Sequence, residues 1–457
     1  QKQDSRQNAV MHALVFCLVL ASAAAAPTRL TVNGSELIDC SGKSVHLRGF
    51  NWQIGRERPG DGELMHQVAP GANMVRLVGV LWGNTPTYQG VRADASVTWP
   101  ARSTRDDGEL QDDPRLLWPE EPAVGSIRDC LTETPPTYFN DDCFVELDAW
   151  VQDAVAADLW VILAVRGMYV AGQDFEDKPD TVVFRNETLR SMMYAMWRHV
   201  AAHYASMDNI AAYEILSEPR DKDIDAATVN SFYAGGCDAV QGADPRTPCI
   251  VGTAPYYKLY TFGESTMIPS NPNVIYTFDY FNPDGYVFGT SDKLTNYNRS
   301  YPCKDLYEGW SQVCHSWGVS KLDDPIMFDR AWHEHNIATF LTPIQQKYNV
   351  PILANQWEAV HGLTREAGRY DYMADFMSVM EQAGPGIHWA WWTYIGGDMG
   401  DQWKHGSSEV VYRKTDGSIM LDDDALDTMA PFLLRNATAV QSLLVLHEWA
   451  GGGANDR

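Results

Sequence analysis

The chain has 457 residues, 45% of them hydrophobic, and a formal net charge of −25 at pH 7. That apolar share supplies a sizeable core and excludes global disorder. A strongly acidic surface repels phosphate backbones and anionic lipid, which sets nucleic acid and anionic membrane surfaces aside as partners. The length accommodates two or three average domains, or one large α/β barrel with insertions.

At the amino end, residues 1–10 contain no methionine and precede Met11. "MHALVFCLVLASAAAAP" then passes from an apolar stretch into small residues, the pattern of a secretory signal whose n-region carries only His12. Cleavage near Ala24 or Ala25 is expected. Residues 1–26 are therefore read as upstream sequence plus signal, and 27–457 as one mature, secreted domain with no membrane span. Cys17 leaves with the signal. Six other cysteines form near couples, Cys130 with Cys143, Cys237 with Cys249 and Cys303 with Cys314, read as loop-closing disulfides suited to an oxidising compartment. Cys40 is left over and expected to be buried and free. Sequons at Asn33, Asn186, Asn298 and Asn436 are compatible with glycosylation. No CxxC or HExxH spacing supports a metal site, and no cofactor is suggested.

Further along, short apolar runs at 46–52, 74–80, 159–165, 210–217, 248–252, 274–281, 351–357 and 387–394 have the composition of buried strands. Helical periodicity falls between most of them, at 144–158, 189–207, 228–240, 331–348 and 369–384. Eight buried strands alternating with helices predict a parallel sheet, and eight is the number that closes a (β/α)8 TIM barrel. A doubly wound sheet is the alternative, but "FNWQIGRERPGDG" after the first strand has no GxGxxG turn. Residues 81–143 and 282–327, rich in Pro, Gly, Asp, Tyr and Trp, would be long loops after strands two and six. In a barrel both would shape a cleft on the carboxyl-terminal face.

The stretch "AAYEILSEPR" (211–220) ends its apolar run on Ser217, Glu218 and Pro219. A carboxyl at a barrel strand's end points into the mouth, where apolar surroundings can raise its pKa for acid work; taken alone it could equally be a helix cap or a surface group. Its company is more specific. "VHLRGFNW" (46–53), "GANMVRLVGVLW" (71–82), "YEILSEP", "NVIYTFDYFNP" (273–283), "YNVPILANQWEAVHG" (348–362) and "GIHWAWWTY" (386–394) occur in this order at barrel-like intervals. The ordered set resembles glycoside hydrolase family 5, the retaining cellulases and mannanases built on a (β/α)8 barrel. The resemblance implies a carbohydrate partner and hydrolysis of O-glycosidic bonds, with no metal or organic cofactor.

Carried over by position, the resemblance makes Glu218 the acid/base and Arg76 the arginine supporting the nucleophile. It makes Trp392, or less directly Trp389, an aromatic platform under the sugar, although either indole could be core. Other positions depart from the family. Ser217 stands where the family has Asn, Arg166 where a His closes strand three, and Asp279-Tyr280-Phe281 where strand six has His-x-Tyr. At the nucleophile position the residue is Gln356. Retaining hydrolysis uses two carboxyl groups about 5–5.5 Å apart, and a neutral amide supplies neither covalent attack nor full charge. Glu358, two residues on, would face the same side if the strand continues, towards the wider separation of inverting enzymes. It could also be a loop carboxylate paired with Arg76 or Arg166; Asp279 is a further acid at the mouth. Two readings follow: hydrolysis of a β-linked polysaccharide or glycoconjugate through Glu218, or a catalytically impaired glycan-binding relative.

Overall fold

Eight of the apolar runs close on themselves. The computed structural model describes residues 28–53, 60–78, 135–166, 183–219, 224–263, 271–282, 284–287, 300–302, 327–359, 365–396, 408–413 and 417–434. A short antiparallel sheet, β1 (Thr31–Asn33), β2 (Glu36–Ile38) and β3 (Ser44–Val45), precedes the barrel. The barrel strands are β4 (Arg48–Gln53), β5 (Met74–Val78), β6 (Trp160–Arg166), β7 (Ile210–Ser217), β8 (Cys249–Gly252), β9 (Val274–Tyr280), β10 (Ile352–Trp357) and β11 (Ile387–Trp391). They pair in sequence order, β11 returns to β4, and every pairing is parallel. This is the expected (β/α)8 barrel. Its strands read as continuous apolar runs because the barrel interior and the surrounding helices bury both faces.

Two apolar layers follow from that geometry. Met74, Ile162, Ile250, Ile275 and Leu353, each near the start of its strand, pack with Leu30, Leu37 and Leu47. The amino-terminal sheet thus plugs the bottom of the barrel, at the end opposite the carboxyl ends of the strands. Outside the strands lie α1 (Asp61–Val68), α2 (Cys143–Ala156), α3 (Glu187–Tyr204), α4 (Ala226–Ala243), α5 (Arg330–Asn336), α6 (Thr342–Tyr348), α7 (Arg369–Gln382) and α8 (Asp423–Leu433). Their apolar faces and the outward strand residues form the larger cluster, including Trp197, Trp332, Trp357, Trp389 and Phe376.

The helix predicted over 331–348 is interrupted. Ile337–Leu341 forms a π turn between α5 and α6. Pro343 is the cause: it has no N–H for the carbonyl one turn earlier, and the wider turn accommodates the missing bond. Thr342 closes the turn by donating to the Ile337 carbonyl from its backbone N–H and, at 3.2 Å, from its Oγ1. Helix α1, helix α8 and a second small sheet, β12 (Ile395–Gly396), β13 (Val411–Arg413) and β14 (Ile419–Leu421), were not anticipated. Strands of two or three residues carry no readable period.

Cys237 and Cys249 are joined, linking α4 to the start of β8. Cys143 is also disulfide-bonded, while Cys130, Cys303 and Cys314 lie outside the described residues. Cys40 is free but half-buried rather than buried, in the loop after β2. The signal segment, Asn298, Asn436 and most of the two long loops also fall outside the described residues.

Candidate active site

A buried ion pair spans the barrel interior. Arg76 on β5 donates from Nε (2.6 Å) and Nη2 (2.8 Å) to the two carboxyl oxygens of Glu214 on β7. Strand β6 lies between those strands, so the pair crosses the lumen rather than following the sheet. Both side chains are fully buried. Arg76 also donates to Asn51 Oδ1 and to Ser217 Oγ, each at 2.7 Å. Asn51 Nδ2 donates to the Asn355 carbonyl at 2.8 Å, and Asn355 Nδ2 to Glu214 at 3.1 Å. Burial, the largest single influence, lowers the guanidinium's pKa, but the Glu214 charge and hydrogen bonds together with Asp279 and Tyr257 outweigh it and the pKa is raised. A buried charge needs this complete set of partners.

Arg76 thus supports the strand end that carries Glu218, and no hydrogen bond joins it to Gln356 among the described contacts. Two irregularities aim these groups. The β6–β7 register slips between Ala164 and Arg166, so Glu214 and Ser217, three residues apart, both reach Arg76. The β9–β10 register slips between Ala354 and Gln356, so consecutive Asn355 and Gln356 both bond inward. In an unbroken strand neighbours would face opposite sides.

Glu218 follows β7 with φ +48°, a left-handed backbone unusual for a residue with a side chain. Such strain, on the order of 1–3 kcal/mol, persists only where the surroundings over-determine it. Here they do. The Leu216 carbonyl accepts the hydroxyls of Tyr233 (2.8 Å) and Tyr257. Ser217 is tied to Arg76, and the Pro219 carbonyl takes the Tyr256 N–H at 2.8 Å. Tyr257 fits because β8 ends on Gly252, where a Cβ would come within 2.2 Å of the tyrosine ring. The Glu218 side chain is half-buried at the mouth.

Asp279, at the end of β9, is in register with Gln356 on β10. Gln356 Nε2 donates to Asp279 Oδ2 at 3.3 Å, and the Asp279 carboxyl also contacts Glu218. Asp279 is 3% exposed. Burial first, and the Glu218 charge second, push its pKa well above the usual carboxylate range. Glu218, Ser217, Asp279, Gln356 and Arg76 therefore form one connected cluster.

The other candidates lie apart from that cluster or outside its description. Strand β10 ends at Trp357, so Glu358 does not continue it as expected. Glu358 is buried and accepts from Ser408 Oγ, and no hydrogen bond joins it to Arg76 among the described contacts. Burial raises Glu358 to about 8, with Glu409 and Glu218 adding to the shift and Ser408 and Arg369 opposing it. A carboxyl raised in the fold contributes stability below its unfolded pKa, near 4.5, that is lost as pH rises through about 8. Glu358→Gln is accordingly expected to flatten the fall in thermal midpoint between pH 5 and 8. The wild-type protein should lose about 1.4 kcal/mol per pH unit relative to the variant across that window.

Trp389 is corrected from sugar platform to core: it is wholly buried, its ring edge-on to Trp357 at 5.8 Å, and no face is open. Trp392, after β11, is half-buried and remains at the mouth; the Trp392–Thr393 peptide is cis. Phe281 is half-buried against the outer core. Arg166 closes β6 beside Ser217, and its side chain is outside the described residues. Sequence reasoning missed Asn51, Glu214, Asn355, Tyr257 and Ser408. Glu214 had a signal: a lone acid inside the apolar run "IAAYEILS" requires a buried partner, and "MVRLV" offers Arg76.

This barrel belongs to a known class. The sequence model of the cellulases, glycosyl hydrolase family 5, matches residues 124–398, more than half of the chain. The protein belongs to glycosyl hydrolase family 5. Endoglucanase 3 of Fibrobacter succinogenes is 22% identical over 280 residues, which cover 58% of this chain and 41% of that protein. The chain thus matches less than half the length of that curated relative. Among solved structures, a broad-specificity endoglucanase from Bacteroides salanitronis superposes with a TM-score of 0.56 at 14% identity, over 85% of this chain and 93% of that one. Endoglucanase Cel5A from Thermotoga maritima gives 0.52 at 15% identity, over 84% and 96%. At such identities the structural likeness concerns the fold.

Proposed function

We propose that the protein hydrolyses β-glycosidic bonds, in a β-linked glucan before other polysaccharides or glycoconjugates, with Glu218 as proton donor. The observation that carries this reading is the placement of Glu218: half-exposed at the carboxyl end of the fourth barrel strand, on a left-handed backbone pinned by Tyr233, Tyr257, Tyr256 and Arg76. Glu218 gives its proton to the leaving oxygen as the bond to the anomeric carbon breaks. Water adds to that carbon and returns a proton through solvent. Gln356 stands at the nucleophile position, so no glycosyl ester forms there, and turnover is slow for the family. The amino-terminal signal pattern and the Cys237–Cys249 disulfide support secretion of the protein after removal of residues 1–26.

The amide at position 356 also favours a second reading, glycan binding without cleavage. One experiment separates the two. Purified protein is incubated with carboxymethylcellulose, mixed-linkage β-glucan and glucomannan while new reducing ends and thermal midpoint are followed. Hydrolysis predicts reducing ends that fall at least about a hundredfold in Glu218→Gln, the scale of a lost general acid. Thermal stabilisation by glycan with no reducing ends, preserved in Glu218→Gln, would establish binding alone.

A further inference from the structure

The carboxyl groups of Asp279 and Glu218 face each other at the mouth of the barrel. We propose that Asp279 is a positioning residue for Glu218: the two side chains hold one proton between them, and Gln356 fixes Asp279 from the other side. The role rests on Glu218 being the proton donor, and it concerns a residue that the family pattern does not supply at this position.

The geometry limits the alternatives. Ionised carboxylates only accept hydrogen bonds, so two facing carboxyl oxygens in a buried site need a proton or a cation between them. Among the described residues no group of three or more His, Cys, Asp and Glu converges to hold a metal ion. Asp279 Oδ2 is taken by Gln356 Nε2, and Asp279 Oδ1 is buried with no ordinary hydrogen-bond donor. Among the described residues, the charged and titratable groups around the pair are Arg76 on β5, Glu214 on β7, Tyr233 on α4, Tyr257 after β8, and Glu358 beyond β10. Arg76 favours ionisation of Asp279, but its guanidinium is bonded to Glu214, Asn51 and Ser217. Glu214 and Glu218 oppose ionisation, as does burial, which is the largest influence.

Two coupled carboxyls lose their protons in two macroscopic steps, the second displaced upward. A general acid works best when that loss falls near the working pH. The shared proton thus keeps Glu218 competent at a pH where an isolated glutamate, with a pKa of about 4.3, is ionised. In turnover the proton passes from Glu218 to the leaving oxygen, and the proton shed by the attacking water returns to the pair. Atoms balance, with one water consumed and no net proton change.

The test compares wild type with the isosteric Asp279→Asn, whose folding is checked by circular dichroism. An amide cannot share the acid proton. The alkaline limb of the pH–rate profile is therefore expected to move down by at least about one unit. The variant-to-wild-type rate ratio then falls at least about tenfold between the low-pH plateau and neutral pH. A second readout needs no turnover. The raised Asp279 contributes stability below its unfolded pKa that is lost as pH rises, so wild type should lose thermal stability relative to Asp279→Asn between pH 5 and 8. Equal rate loss at every pH, with wild type active, would overturn the positioning role alone. Parallel stability curves would overturn the shared proton. If wild type cleaves none of the glycans, the proton-donor reading and the positioning role fall together.

Discussion

Arg76→Met is expected to destabilise the barrel by about 3–5 kcal/mol, the usual consequence of removing one partner of a buried ion pair. The guanidinium holds Glu214 through two hydrogen bonds and reaches Asn51 and Ser217. Its loss strands a fully buried carboxylate and removes the tie on the residue before Glu218. Glu214→Leu should cost a similar amount by leaving the guanidinium uncompensated. The double variant Arg76→Met/Glu214→Leu should recover most of the loss, because two apolar side chains of similar volume restore a neutral interior. Thermal midpoints of the four proteins check this. Single variants within about 1 kcal/mol of wild type, or a double variant showing the sum of both losses, would show that the lumen does not depend on the pair. Activity should follow a different course. Even a refolded double variant lacks the Arg76–Ser217 bond, so Glu218 is held less firmly and turnover stays depressed.

The same interior shows how much the sequence disclosed. Each barrel strand was legible because burial on both faces leaves an uninterrupted apolar run, as in "MVRLV" or "VIYTFDY". Glu218 was legible through its company: alone a strand-end carboxyl could be a cap or a surface group, but the ordered strand-end motifs around it single it out. Which polar groups meet was not legible. Glu214 and Ser217 converge on Arg76, and Asn355 and Gln356 both turn inward, only because β7 and β10 slip register. A bulge adds one residue without leaving a mark in the hydrophobic pattern. Glu358 illustrates the converse: a spacing of two predicts a shared face only while the strand lasts, and β10 stops at Trp357. Trp389 was ambiguous for a different reason, since an indole in an apolar run serves core and cleft equally well.

Restoring the missing carboxylate is expected to fail alone and succeed in company. Gln356→Glu should raise glycan hydrolysis by less than about tenfold, whereas Gln356→Glu with Asp279→Asn should raise it by about a thousandfold. The reason lies in the pairing of residues 279 and 356, register partners whose side chains meet at 3.3 Å. In the single variant a carboxylate replaces the amide that now donates to Asp279. Two charges at that distance repel by on the order of 5 kcal/mol at an effective dielectric of 20. Asp279 already faces Glu218, and Arg76 is bonded elsewhere. One more proton must therefore enter the cluster, and a protonated carboxyl at position 356 is no better a nucleophile than the amide it replaces. Asn at 279 changes that balance: its amide can donate to the new carboxylate, which then ionises opposite Glu218 and recovers the two-carboxyl arrangement of retaining enzymes. The initial anomer released, followed by NMR, should show retention in the double variant. Full rescue by Gln356→Glu alone would mean that Asp279 exerts no electrostatic control over position 356. No rescue in either protein would place the obstacle elsewhere in the cleft, with the Ser217 and Phe281 departures as the next positions to revert.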